Sequence, residues 1–126
     1  AVDVTFAEEA GLKNHATFPL GKGLTIGLGA NIHPALYRRF TALAKEIDIP
    51  FSVETMPRSS GTDAMAMQIT AAGIPTMVLG IPIRYMHTPY ELTALADIRR
   101  AGRLLARFIT SLDAETLPTL FKEEHA

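Results

Sequence analysis

The run Leu24-Thr25-Ile26-Gly27-Leu28-Gly29, followed by Pro34, Leu36, Phe40, Leu43 and Ile47, then by Ile49-Pro50 and Phe51-Ser52-Val53-Glu54-Thr55, decides the fold class. Its first six residues read as a glycine-softened strand. Pro34 suits the first turn of a helix, where its missing N–H has no partner to lose. The apolar residues after it recur at helical spacing and give one apolar face. Pro50 stops that helix, and residues 51–55 alternate as a further strand. Strands alternating with helices imply an α/β fold, a mainly parallel sheet flanked by helices.

Outward from that unit, the coarse pattern is β, loop, β-α-β-α-β-α. Residues 1–6 are short, apolar and β-branched, like a buried strand, and the glycines and proline within 7–23 mark an irregular loop. Residues 56–61 are a polar loop, and a helix is expected from Thr62 to Ala72, closed by Gly73. Pro75 to Leu79 reads as a strand. Thr88, Pro89 and Glu91 have the pattern of a capping box opening the last helix, with Leu95, Ile98, Leu105, Ile109 and Leu112 on its apolar face. Residues 115–126 are expected to form a loosely ordered tail. The chain opens directly on strand-like sequence without an initiator Met, which is expected of a piece of a longer protein.

Among 126 residues, 12 basic and 13 acidic side chains give a net charge of −1, so no basic surface points to nucleic acid. The absence of cysteine excludes disulfides and thiolate metal sites, leaving His and carboxylates as metal ligands, and fits a cytoplasmic chain. No apolar run approaches the roughly 18 residues of a membrane span. Neither a Gly-x-Ser-x-Gly elbow nor a phosphate-binding Gly-x-x-x-x-Gly-Lys loop is present.

Ligands of open α/β sheets collect at strand carboxyl ends. The loops at 56–62 and 80–88 each follow a strand and precede a helix, so they are expected at the same sheet edge, with Asp63 near His87. His87 stands in a loop stiffened by two prolines, beside Arg84 and Tyr85. It can act as metal ligand or base there, or be bonded to backbone. Asp3 interrupts an apolar strand. Such an acid is costly to bury unless paired or bound to a cation, and it is innocuous if the strand edge is wet. Asp63 falls in the first turn of a helix, where the free amides favour it, and is expected to support a loop or a neighbouring ligand. His15, His33 and His125 read as structural or idle. Arg99, Arg100, Arg103 and Arg107 read as a solvated or interface face of the last helix.

Ser60-Gly61-Thr62-Asp63-Ala64, then Gln68, Gly73-Ile74-Pro75-Thr76 and Pro82-Ile83-Arg84-Tyr85-Met86-His87-Thr88-Pro89-x-Glu91, together with Val2-Asp3-Val4-Thr5, resemble the glutamyl/deblocking (tetrahedral) aminopeptidases, often labelled endoglucanase or cellulase. The resemblance covers most of residues 1–112. It implies that residues 1–126 are the C-terminal segment of a zinc-peptidase-like (phosphorylase/hydrolase-like) catalytic domain. It further implies two divalent ions, zinc or cobalt, one bound by Asp3 and the other by His87. Thr62, Asp63, Arg84 and Tyr85 would contact substrate or support the ligands. The family's other ligands (a His, a bridging Asp and a Glu) and its general-base Glu have no counterpart here. No catalytic residue is therefore assigned within the chain, and the general base is expected upstream. The implied activity is removal of N-terminal residues from peptides by a homo-oligomer, with the isolated chain inactive. Two other readings compete: a non-catalytic α/β scaffold or assembly fragment, and a glycoside hydrolase. The second is weakened by the absence of Trp and by 7% aromatic content.

Overall fold

Alternation of apolar and small polar residues builds one five-stranded sheet. The computed structural model describes residues 1–121 and contains β1 (Val2–Phe6), β2 (Leu24–Gly29), β3 (Phe51–Met56), β4 (Leu79–Arg84) and β5 (Leu92–Thr93). Helices α1 (Pro34–Glu46), α2 (Asp63–Gln68), α3 (Leu95–Thr110) and α4 (Thr116–Phe121) complete it. The strand order is β1-β4-β2-β3, with β5 added to the end of β4. β1 runs parallel to β4 and β2 parallel to β3, but β2 meets β4 antiparallel, as β4 meets β5. The sheet is thus mixed, two parallel pairs joined head to tail. The β4 pairing is displaced along the chain from the expected Pro75–Leu79, because a continuous apolar run does not mark where pairing begins. Thr76, Met77 and Val78 form its buried approach.

One face of the sheet carries Leu24, Ile26 and Leu79, packed with Leu36, Phe40 and Leu43 of α1 and Ala101 and Leu104 of α3. Each fully buried leucine contributes roughly 1.5–3 kcal/mol relative to exposure. α1 forms as expected, with His33 at the N-cap and Pro34 in the first turn. α2 is shorter than expected. Thr62 caps it by accepting from Ala64 N, but the chain leaves helical geometry after Gln68 and turns through Ala71 and Gly73, both at positive φ.

The last long helix differs from expectation in both start and face. It begins at Leu95, not at Thr88. The Thr88 hydroxyl instead donates to the carbonyls of Tyr85 and Tyr90, and the Glu91 carboxylate accepts from His87 N at 2.8 Å. The capping-box residues therefore stabilise a turn, and residues 92–93 add a strand before α3 starts. The face toward the core is Asp97, Ala101 and Leu104, whereas Leu95 is 58%, Ile98 44% and Ile109 58% exposed. Leu105 and Leu112 pack partly against the core, as expected.

Asp97 explains this rotation. Fully buried, it accepts from Gly21 N at 2.7 Å, Gly23 N at 3.1 Å and Arg100 Nη1 at 2.7 Å, while Arg100 also donates to Gly21 O. Arg100 is accordingly tied to this buried carboxylate rather than standing on a solvated face. Gly23 has φ of 135°, and a Cβ there would lie 2.2 Å from Pro50 O, so the loop can approach this closely only with glycine.

Of the expected tail, residues 115–121 are described. Residues 116–121 form α4, and Leu120 is buried in the core. Asp113 accepts from Thr116 N, Thr116 Oγ1 and Glu115 N. The bonds from Thr116, first from its backbone and then from its hydroxyl, hold the Asp113 carboxyl below its ordinary value. His125 and the rest of residues 122–126 lie outside the described residues. No helix among the described residues is long and apolar enough to cross a membrane.

Asp97→Ala should destabilise the fold by about 3 kcal/mol, because it leaves two loop amides and Arg100 without their acceptor. The measurement is the denaturant midpoint. A change below about 0.5 kcal/mol would show that the buried carboxylate does not hold the loop.

Candidate active site

The sheet face away from the long helices is polar. Asp3 and Thr5 of β1, Gly80 of β4, Thr25 of β2 and Glu54 of β3 lie together on it. Asp3 pairs with Gly80 on one side, and Thr25 pairs with Gly80 on the other. The Glu54 carboxylate accepts from Thr5 Oγ1 at 2.7 Å and from Thr25 Oγ1 at 2.6 Å, so it reaches from β3 to β1 across the two strands between them. Gly80 makes room for that reach. A Cβ there would lie 2.1 Å from Thr25 Oγ1, 3.1 Å from Thr5 Cγ2 and 3.2 Å from Glu54 Oε2.

Above this face lies a cavity of about 340 Å³, with Asp3, Thr5, Glu54, Ser60, Thr62 and His87 in its wall. Two loops close over it. In the 57–62 loop, Ser60 Oγ and Thr62 Oγ1 are 2.8 Å apart. In the loop after β4, Tyr85 has φ of 59° and His87 of 63°, the left-handed region that non-glycine residues enter at a cost of about 1–3 kcal/mol. Carboxylates brace both residues: Tyr85 N donates to Glu9 Oε2 at 2.6 Å and His87 N to Glu91 Oε1 at 2.8 Å. The exposed His87 is thereby presented from a constrained backbone. Asp3 is half-buried and accepts from Val4 N at 2.7 Å.

Asp3, Thr62 and His87 thus share one cavity. Asp63 is exposed on α2 and does not line that cavity. Arg84 and Tyr85 turn to a separate depression shared with Glu8 and Glu9, where Arg84 Nε donates to Glu8 O at 2.8 Å. The expected common sheet edge for the two loops does not occur. β3 and β4 end at opposite edges, because β2 and β4 are antiparallel, and the loops converge over the sheet face instead. Glu54 and Glu9 are not among the residues singled out from the sequence, and Ser60 enters there only as part of the motif at residues 60–64. Glu54 left a trace there, as a lone acid alternating within a strand, much like Asp3.

Two donors of the cavity, the Asp3 carboxylate and the His87 imidazole, are of the kinds that suit a divalent ion such as zinc, while the Glu54 carboxylate in the same wall is held by Thr5 and Thr25. The number of donors falls short of a closed site. Among the described residues no group of three His, Asp or Glu side chains is placed to hold a metal.

Residues 1–104 match the M42 glutamyl aminopeptidase family. The lysyl aminopeptidase of Pyrococcus furiosus is 42% identical over 112 residues, which are 89% of this chain and 32% of that protein. The TET aminopeptidase of the marine sediment archaeon Thaumarchaeota archaeon SCGC AB-539-E09 superimposes with a TM-score of 0.82 at 30% identity, over 94% of this chain and 34% of that one. PhTET1-12s, solved as a dodecamer, superimposes with a TM-score of 0.65 at 26% identity, over 87% of this chain and 33% of that one. The chain belongs to the M42 glutamyl aminopeptidase family. It spans about a third of the length of these relatives.

Glu91→Ala should release His87 N–H and relax the 85–88 loop. Amide exchange at His87 is expected to speed up roughly five-fold, corresponding to about 1 kcal/mol for an exposed hydrogen bond. Unchanged exchange would show that Glu91 does not brace the loop.

Proposed function

We propose that this chain supplies part of the active site of a two-metal aminopeptidase, with Asp3 and His87 each binding one of two divalent ions, zinc or cobalt. The observation that carries the reading is the convergence of Asp3 and His87, distant in sequence, on one polar cavity within an aminopeptidase family fold. Such ions, when bound, lower the pKa of a water and polarise a scissile carbonyl.

The residues of this chain have distinct tasks. Asp3 offers carboxylate oxygens from the sheet surface, and His87 offers an imidazole nitrogen from the loop after β4. The hydroxyls of Ser60 and Thr62 stand in the same wall, where they can bond to the backbone of a bound peptide. Thr62 is thus read as a substrate contact. Asp63, Arg84 and Tyr85 act by shaping the two loops. The remaining ligands and the general-base Glu come from segments outside residues 1–126. The substrates are peptides with a free N-terminus, neither nucleic acid nor membrane is a partner, and the whole protein is a homo-oligomer, a reading supported by PhTET1-12s, solved as a dodecamer. Absence of cysteine supports a cytoplasmic location.

The scaffold reading draws on the shortage of metal donors among the described residues. His87→Ala in the whole protein separates the two. The aminopeptidase reading expects loss of about one bound ion per subunit and a rate decrease of roughly 100-fold or more. Unchanged metal content and peptidase rate would establish the scaffold. The isolated 126-residue chain, given zinc or cobalt and an aminoacyl chromogenic substrate, should show no turnover. Robust turnover would overturn the assignment of the general base to another segment.

A further inference from the structure

We propose that Glu54 is a positioning residue for this metal centre: its carboxylate, clasped by Thr5 and Thr25 above Gly80, holds the Asp3 segment of β1 toward the cavity shared with His87. The inference rests on the reading of Asp3 and His87 as ligands. Its own foundation is a separate set of contacts.

At Asp3, β1 pairs with β4 on one side; on its other edge the backbone is bonded only further along, where Phe18 N donates to Phe6 O at 3.0 Å. A metal ligand must be held to within about 0.5 Å of its working position, which a strand secured on one side does not guarantee. Thr5 is two residues from Asp3, on the same face of the same strand. Its hydroxyl bond to Glu54 is therefore a second, lateral restraint applied next to the ligand, from the far side of the sheet. Bonds of 2.7 and 2.6 Å to a carboxylate are short and charge-assisted, stronger than neutral equivalents. Each Glu54 oxygen accepts from a hydroxyl, and among the described residues Glu54 forms no three-donor group with Asp3 and His87, so the geometry casts it as a buttress. Gly80 leaves the space in which the clasp sits, and Gly80 is also the residue opposite Asp3. Strand register, glycine and clasp all act on the same few ångströms of β1.

The two threonines separate positioning from stability. Thr5 is on the strand that carries Asp3, and Thr25 is on β2, which does not. The test uses the whole protein with Glu54→Gln, Thr5→Val and Thr25→Val, each titrated with cobalt. Cobalt affinity, the visible spectrum of the cobalt form, the thermal midpoint, kcat and KM are measured. Glu54→Gln and Thr5→Val should weaken cobalt binding about 10–100-fold and shift the visible band, lowering kcat with little change in KM. Thr25→Val should lower the midpoint while keeping affinity and spectrum near wild type.

Unchanged affinity and spectrum in both Glu54→Gln and Thr5→Val would overturn the proposal, whatever happens to stability. So would a Thr25→Val protein whose affinity falls as far as that of Thr5→Val. If Glu54→Gln does not fold, the comparison of Thr5→Val with Thr25→Val decides alone. A wild-type protein that binds no cobalt would overturn the metal reading itself. That outcome is distinct from a wild type that binds cobalt and variants that match it.

Discussion

The Glu54 carboxylate is the contact on which the polar face depends. It sits on β3, engages hydroxyls on β2 and β1, and passes over β4 at the position that carries no side chain. Backbone pairing alone would join these strands only neighbour to neighbour. A side chain spanning all four converts the face into one surface, with Asp3 placed on it and a cavity above it. The opposite face is held by ordinary apolar packing of α1 and α3. The molecule thus has a generic side and a specialised side, and the candidate site lies on the second.

The 85–88 loop completes the cavity by a different means. Two residues in left-handed conformations, Tyr85 and His87, would relax if left alone. Glu9 and Glu91 each accept one of their amides, from β1's flank and from the loop itself. Carboxylates therefore appear in three mechanical roles around the site: Glu54 across the sheet, Glu9 and Glu91 under the loop, and Asp97 between α3 and the loop that precedes β2. Among the described residues, Asp3 is the carboxylate of the cavity wall that no side-chain hydroxyl clasps.

What could be read in the sequence follows from the range of the forces involved. The strand-helix-strand unit around residues 24–55 was legible because apolar periodicity and Pro34 and Pro50 act locally. The start of α3 was not. Thr88, Pro89 and Glu91 satisfy a local capping pattern, yet Glu91 finds its acceptor role at His87 N. The face of α3 was misread for a related reason. An aspartate is foreign to a core until the loop amides of Gly21 and Gly23, distant in sequence, are brought to it. Asp3 and His87 were legible as candidates, and they do share a cavity, though over the sheet face and not along its edge. Glu54 went unnoticed because Thr5 and Thr25 mean nothing to it in one dimension. Arg84 and Tyr85 stand beside His87 in sequence but turn toward Glu8 and Glu9, where Arg84 Nε donates to Glu8 O and Tyr85 N to Glu9 Oε2.

The head-to-tail join of the sheet has a mechanical consequence. β1 and β4 form one parallel half, β2 and β3 the other, and the antiparallel ladder between them is two residue pairs long, Thr25 with Gly80 and Ile26 with Leu79. Asp3 and His87 both belong to the first half, one on β1 and one on the loop leaving β4. Ser60 and Thr62 belong to the second, on the loop leaving β3. The cavity is therefore a seam: one lip carries the candidate ligands and the other the hydroxyls. Any shear between the halves would open or close that seam while leaving each lip intact, and Glu54, rooted in one half and bonded to the other, is the stitch that sets its width.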